Sequence, residues 1–350
     1  MVKSKWITIV LIVSLIVLAP ISLFIGVINL SVTQLINGDL GQIEIMLISR
    51  LPRLMAILCT GVGMSVAGLI MQQLCMNKFV SPTTGATVSS AQFGILLAMV
   101  FFQNSTLADK TIFAFITAIA GTWIFVIFIQ KIKFRDVIMV PLVGIMFGNI
   151  ISGVTEYISY GNGMNQAMTS WLVGDFSLIL RGRYEIVFLV VPLLVIAFIF
   201  ANHFNIVGMG QDFSKNLGVS YNLVLFAGLS IAALITASVV VTVGSIPYLG
   251  LIVPNIVSMF RGDKIRGSLL HTALFGAVFV LICDVIGRVI NYPYEIPISM
   301  TIGVIGSLVF IGLIFKRLSC KSGRRGLFGA GKAQTNSSAI AQQEGEAQEC

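Results

Sequence analysis

Long stretches almost free of Asp, Glu, Lys and Arg recur along this chain, and they limit what it can fold into more than any other feature. Apolar residues make up 57% of the 350 and charged residues only 10%, against about 25% charged in an ordinary soluble domain. A water-soluble fold is excluded. Crossing the hydrocarbon core takes a helix of about 20 mainly apolar residues. Lipid offers no hydrogen bonds, so every backbone N–H and C=O must be satisfied within the protein, by helices or by a closed barrel. The apolar runs are continuous and lack the period-two alternation of barrel strands, which selects helices. The expected fold is an all-α polytopic membrane protein of ten spans at 6–30, 54–76, 84–102, 111–130, 137–158, 186–204, 223–243, 247–260, 268–290 and 298–315. Gly244, Pro247 and Gly250 break the uncharged block 216–260 into two of these and leave the eighth span short.

Orientation follows from the cations, because Lys and Arg concentrate in cytoplasmic loops. With the N-terminus inside, sixteen of the 22 Lys and Arg face the cytoplasm. Arg50, Arg53, Lys110, Arg181, Arg183 and Arg288 face out. Both termini are therefore expected inside, and the formal charge of +8 is mostly this bias, with no nucleic-acid partner implied. The run from Trp6 to Leu30 is too long for a signal-peptide core and lacks a small-residue cleavage site, so it is expected to remain as the first span. Residues 1–318 form the transmembrane domain. The segment 319–350, ending SSAIAQQEGEAQEC, is too polar to build a core and is expected to be a disordered cytoplasmic tail. Its GLFGAGK run (326–332) imitates a phosphate-binding loop, but Ala333 replaces the magnesium-binding hydroxyl and no strand precedes it. Glycines and alanines within the spans, such as Gly61, Gly68, Gly144 and Gly148, predict a tightly packed bundle.

Catalytic chemistry has little support. Cys59, Cys75, Cys283, Cys320 and Cys350 have no metal-site spacing. His203 and His271 lie outside any H-E-x-x-H pattern and are read as span-end residues. Asp284 and Arg288 stand one helical turn apart in the ninth span and are expected to form a structural ion pair. Glu156 lies at the outer end of the fifth span, at the water boundary, and no chain of buried carboxylates suited to proton relay is present. Two loops stand out. RLPR (50–53) places two cations on the cation-poor side, with Pro52 favouring a helix start there. The polar, glycine-punctuated stretch 207–222 is long enough for two short helices along the membrane and reads either as a contact surface for a soluble partner or as a plain connector.

In order, these landmarks resemble the permeases that import iron-siderophore complexes, haem and vitamin B12 in bacterial ATP-binding-cassette systems. The resemblance is carried by RLPRLMAILCTGVGMSVAGLIMQQLCMNKFVSPTTGA (50–86), GQDFSKNLGV (210–219), GSIPYLGLIVPNIVSMFRGDKIR (244–266), DVIGR (284–288) and EIPISMTIGVIGSLVF (295–310). There are departures: MNKFVSP (76–82) keeps Asn77 and Pro82 but lacks the family's first proline and Arg, Asn255 stands where His is common, and Ser299 where Gly is.

The resemblance implies an inverted internal repeat, with spans two to five matching seven to ten, and a pathway between two permease subunits, identical or homologous, within membrane lipid of the bacterial plasma membrane. It implies an extracytoplasmic substrate-binding protein docking at Arg50, Arg53 and Arg288. It also implies cytoplasmic ATP-binding subunits seated on a coupling loop of Gly210, Gln211, Asp212, Lys215, Leu217, Gly218 and Val219. ATP and Mg would belong to those subunits, leaving this chain without a cofactor and without enzymatic activity of its own. The expected function is ferric-siderophore import by alternating access, through a cavity with few charges lined by the fifth and tenth spans. The alternatives are import of haem or vitamin B12, or an ion-coupled secondary transporter.

Overall fold

A computed structural model describes residues 2–26, 33, 39–102, 104–131, 139–182, 184–261, 265–313 and 315. Lys133, Arg135, Arg183, Lys264 and the expected tail 319–350, including the GLFGAGK run, lie outside the described residues. Two compact units divide the chain, Met1–Gly306 and Ser307–Cys350, and the second contributes only the last turns of a helix to the described residues.

Among the described residues the structure is helical throughout. The helices are α1 (Val2–Phe24), α2 (Leu40–Ile45), α3 (Leu51–Leu74), α4 (Thr87–Phe101), α5 (Leu107–Lys131), α6 (Met139–Gly161) and α7 (Asn165–Leu172). They continue with α8 (Val190–Val207), α9 (Gln211–Asn216), α10 (Tyr221–Val243), α11 (Leu249–Arg261), α12 (Ile265–Val289) and α13 (Ile298–Leu313). Seven helical segments are long and apolar enough to cross a membrane, and α4, α11 and α13 are shorter apolar helices. These ten correspond to the ten expected spans. Two details differ. The segment 207–222 contains one short helix, α9, because Gly210 (φ 110°) and Gly218 (φ 72°) turn the chain at both of its ends. The second span starts earlier than Pro52: α2 runs through a π-helical turn, Met46–Arg50, directly into α3.

The packing is reciprocal. Helix α3 lies against α11 and α12, while α10 lies against α4 and α5. The leading helix of each half is thus inserted into the other half. Two of the three shorter helices are also entered in the same way, from a non-glycine residue in the left-handed region: Ala86 (φ 61°) before α4 and Tyr248 (φ 61°) before α11. Left-handed backbone costs roughly 1–2 kcal/mol for such a residue, so each is held by its surroundings. Ala86 is fully buried.

Non-helical backbone inside the bundle needs its own partners. In 76–86 side chains supply several of them beside backbone turns: Phe79 N–H donates to Asn77 Oδ1 at 2.9 Å, Ser81 N–H to Thr84 Oγ1 at 2.8 Å, and Thr84 Oγ1 to Phe79 O at 3.1 Å. Asn255 Nδ2 closes the set by donating to Lys78 O at 2.8 Å. The residue that departs from the family pattern thus still supplies a donor.

Prolines inside helices free the carbonyl four residues back, and two such carbonyls are satisfied from elsewhere in the fold. Pro254 frees Gly250 O, which accepts from Gln72 Nε2 of α3 at 3.3 Å. Pro52, set just after the π-helical turn, leaves Ile48 O to accept from Arg181 N–H at 3.0 Å. The first of these contacts needs backbones in near contact. A Cβ on Gly68 would lie 1.9 Å from Gly250 O, and one on Gly61 would lie 2.6 Å from Gly276 O. Because both obstacles are backbone, Gly68→Val is expected to destabilise the protein by about 3 kcal/mol or more, at the upper end of overpacking costs. Gly153→Ala, with no atom within 4 Å of its Cβ, is expected to be neutral; thermal unfolding in detergent compares the two.

Candidate docking and coupling sites

The chain alternates direction through the bundle, so Arg53, at the start of α3, and the segment 207–222 lie at opposite ends. At the arginine end, five charged residues gather from three parts of the sequence. Arg53 Nη2 donates to Asp284 Oδ1 at 2.8 Å and Nη1 donates to Glu295 Oε2 at 2.6 Å. The other oxygen of Asp284 accepts from Arg288 Nη2. Arg288 also donates to the carbonyls of Ser22 at 2.8 Å and Ile25 at 2.7 Å, and Arg50 Nη1 reaches Ile25 O at 2.9 Å. Those carbonyls belong to the C-terminal end of α1, whose last C=O groups have no helical partner and carry the negative end of the helix dipole. Gly26 leaves room for this, since a Cβ there would sit 1.8 Å from Arg50 Nη1.

Arg50, Arg53 and Arg288, expected from sequence to face a partner, therefore point into the protein. Arg288 and Asp284 are each 3% exposed. Glu295 is the outermost member, its side chain 17% exposed against 10% for Arg53 and 2% for Asp284. Glu295 enters the cluster from the turn between α12 and α13, a contact across 242 residues of sequence. The only sequence signal for it was its place at the head of the EIPISM block.

At the opposite end, Gln211, Asp212, Lys215, Leu217 and Gly218 are exposed and Val219 is half-buried. Ser214 anchors α9 from beneath, its buried hydroxyl reaching Ile206 O of α8 at 3.3 Å as well as Gly210 O at the start of α9 itself at 2.8 Å. The outward face carries Met209, Phe213 and Leu217, at 59%, 47% and 55% exposure. Met209 and Phe213 were passed over in the sequence reading, although apolar residues at i, i+4 and i+8 within a polar loop are a legible stripe. A groove lined by Gln73, Asn77, Lys78, Gly208, Pro254 and Ser258 opens nearby.

A cavity of about 620 Å³ is walled by α4, the last turns of α6, and α7. Gln92, Ser152, Thr155, Ser159, Tyr160 and Thr169 set hydroxyl and amide groups into a mostly apolar wall that also carries Met168 and Leu172, with Glu156 the charged side chain on it. The fifth of the expected spans contributes to this wall and the tenth does not. Gln92 Nε2 donates to Trp171 O at 3.0 Å, and Lys110 Nζ lies 5.7 Å from the centre of the Trp171 ring, so α7 is tied down at its C-terminal end. Of the two histidines, His271 shares a hydrogen bond with Thr8 Oγ1 at 2.9 Å, joining α12 to α1, and His203 packs against Phe200.

Residues 13–316 match the FecCD transport family. The chain belongs to that family. It is a multi-pass membrane permease, a transport protein and not an enzyme. The FecCD permease is 48% identical over 307 residues to the petrobactin import system permease protein YclN of Bacillus subtilis (strain 168), covering 88% of this chain and 97% of that protein. It is 37% identical over 268 residues to the ferric-anguibactin transport system permease protein FatD of Vibrio anguillarum, covering 77% and 85%. A solved structure described as an inward-facing metal-chelate type ABC transporter superposes with a TM-score of 0.77 at 26% identity, over 89% of this permease and 99% of that chain.

In the FecCD permease Asp284 is the hub of the cluster, accepting from both Arg53 and Arg288 while itself buried. Removing one partner of a buried ionic network leaves uncompensated charge and costs about 3–5 kcal/mol. Asp284→Asn is accordingly expected to lower the unfolding temperature in detergent sharply, and the double change Asp284→Asn with Arg288→Gln to recover part of the loss.

Proposed function

We propose that this permease imports ferric-siderophore complexes of the petrobactin and anguibactin kind, as a subunit of an ATP-driven system in the bacterial plasma membrane. The observation that carries the reading is the 48% identity to a petrobactin import permease over nearly that protein's whole length. In this reading the arginine end faces out and the 207–222 end faces the cytoplasm with both termini, the arrangement that puts most Lys and Arg inside. A substrate-binding protein delivers the chelate to the arginine end. Cytoplasmic ATPases holding ATP and Mg seat on α9, and a second permease subunit, identical or homologous, completes the pathway.

The chemistry asked of the chain is conformational. ATP binding biases a bundle with two arrangements, and each ligand shifts that equilibrium only by its differential affinity for the two. The apolar stripe Met209, Phe213 and Leu217 suits a socket in the ATPase, because burying it would remove three large side chains from water. Arg50 and Arg53 suit acidic residues of the binding protein, for the five-membered cluster holds three guanidinium groups against two carboxylates and is left with one positive charge. Arg288, with its donors committed to Asp284 and the end of α1, acts by positioning. The mostly apolar cavity beside α7, with scattered hydroxyls and one carboxylate, offers many weak contacts and few charges, which favours release over tight binding.

The direct test is iron uptake from ferric petrobactin in iron-starved cells expressing the permease with or without its ATPase. Uptake should require both, and uptake independent of the ATPase would overturn the reading. The two surfaces separate by mutation. Phe213→Ala with Leu217→Ala should cut uptake at least about tenfold, as loss of paired interface anchors does, while binding-protein docking to membranes is retained. Arg50→Glu with Arg53→Glu should abolish docking and leave ATPase association intact.

A further inference from the structure

The cluster at the arginine end contains its own acidic ligand for the docking cation. We propose that Glu295 occupies on Arg53 the place that a carboxylate of the binding protein takes on docking, so that the partner binds by displacing Glu295. The inference rests on the docking reading given above and deepens it.

The two carboxylates held by Arg53 differ in the respects that matter. Asp284 is buried, sits on the long helix α12 and is shared with Arg288, so leaving would strand two guanidinium groups. Glu295 is the more exposed of the two and sits on a short turn. It takes Nη1 of Arg53 in a partly buried contact, while Asp284 holds Nη2 in a buried one. Exchange at Nη1 therefore leaves the buried half of the network intact. The cluster's surplus positive charge draws an incoming acid toward this point.

The exchange also has a mechanical consequence. The turn bearing Glu295 is held to α12 by Ile296 N–H donating to Gly287 O at 3.1 Å. Four residues past Glu295, Ser299 N–H donates to Gly174 O at 3.1 Å, two residues beyond the end of α7. Displacing Glu295 unfastens the turn at the end nearest the partner and leaves it attached at the end nearest the cavity wall. The backbone path from docking site to cavity is thus short and continuous.

The test uses the complete importer, permease with its ATPases and any second permease subunit, in lipid nanodiscs, with the substrate-binding protein as probe and affinity read by interferometry. Glu295→Gln should bind at least about fivefold tighter than the wild type, and Arg53→Gln at least about tenfold weaker, in the range of truncated interfacial charge pairs. In the Arg53→Gln background the gain from Glu295→Gln should vanish, since the two changes act through one contact. Persistence of the gain there would mean that the added effect is long-range charge, and displacement would be wrong. Unchanged or weaker binding by Glu295→Gln, with Arg53→Gln still impaired, overturns displacement and leaves docking standing. Binding unaffected by Arg53→Gln overturns docking itself. If Glu295→Gln does not assemble, Glu295→Asp keeps the charge but falls one methylene short of Arg53; it should bind about twofold tighter, and binding no tighter than the wild type overturns displacement.

Discussion

Lipid supplies no hydrogen bonds, and the rest of this structure follows from how the chain meets that constraint where its helices are interrupted. Pro52 and Pro254 each free a carbonyl, the 76–86 segment leaves the helical ladder, and α1 ends in exposed C=O groups. Each defect is filled by a particular donor: Arg181 N–H, Gln72, Asn255, and Arg288 with Arg50. Those donors come from distant parts of the sequence, so satisfying the interruptions is what ties the halves together. The close glycine contacts between α3 and α11 exist because Gln72 has to reach a backbone, not a side chain.

The same rule accounts for the two ends. At one, three arginines are retained in a mostly apolar protein because helix-end carbonyls and two carboxylates compensate them. At the other, α9 is a short helix anchored by one buried serine, which leaves its apolar stripe facing outward. A compensated but net positive cluster and an exposed apolar stripe ask for different partners, an acidic one and an apolar one. Two unlike surfaces at opposite ends of a bundle are what a delivery-and-drive transporter requires.

Much of this was legible in the sequence, for identifiable reasons. Span number follows from charge-free length, which is local, and all ten apolar helices lie where those stretches are. The pairing partner of Arg53 was not legible, because Glu295 lies 242 residues away and reads locally as a loop acid ahead of a span. Nor was the burial of Arg50, Arg53 and Arg288: sequence places them at a water boundary, and only the fold brings the end of α1 over them. The π-helical turn before Pro52 was hidden for a similar reason, since its freed carbonyl is answered by Arg181 from another segment. Met209 and Phe213 were legible and were overlooked beside the glycines that flank them.

The account's central claim is that the arginine end receives substrate and the α9 end receives the drive. Reconstituting the importer in vesicles and counting radiolabelled iron tests it directly, with the loaded binding protein and ATP supplied independently to either side. Accumulation is predicted only when binding protein and ATP are on opposite faces, the binding protein at the arginine end. Accumulation without ATP, or with both supplied to the same face, would contradict it.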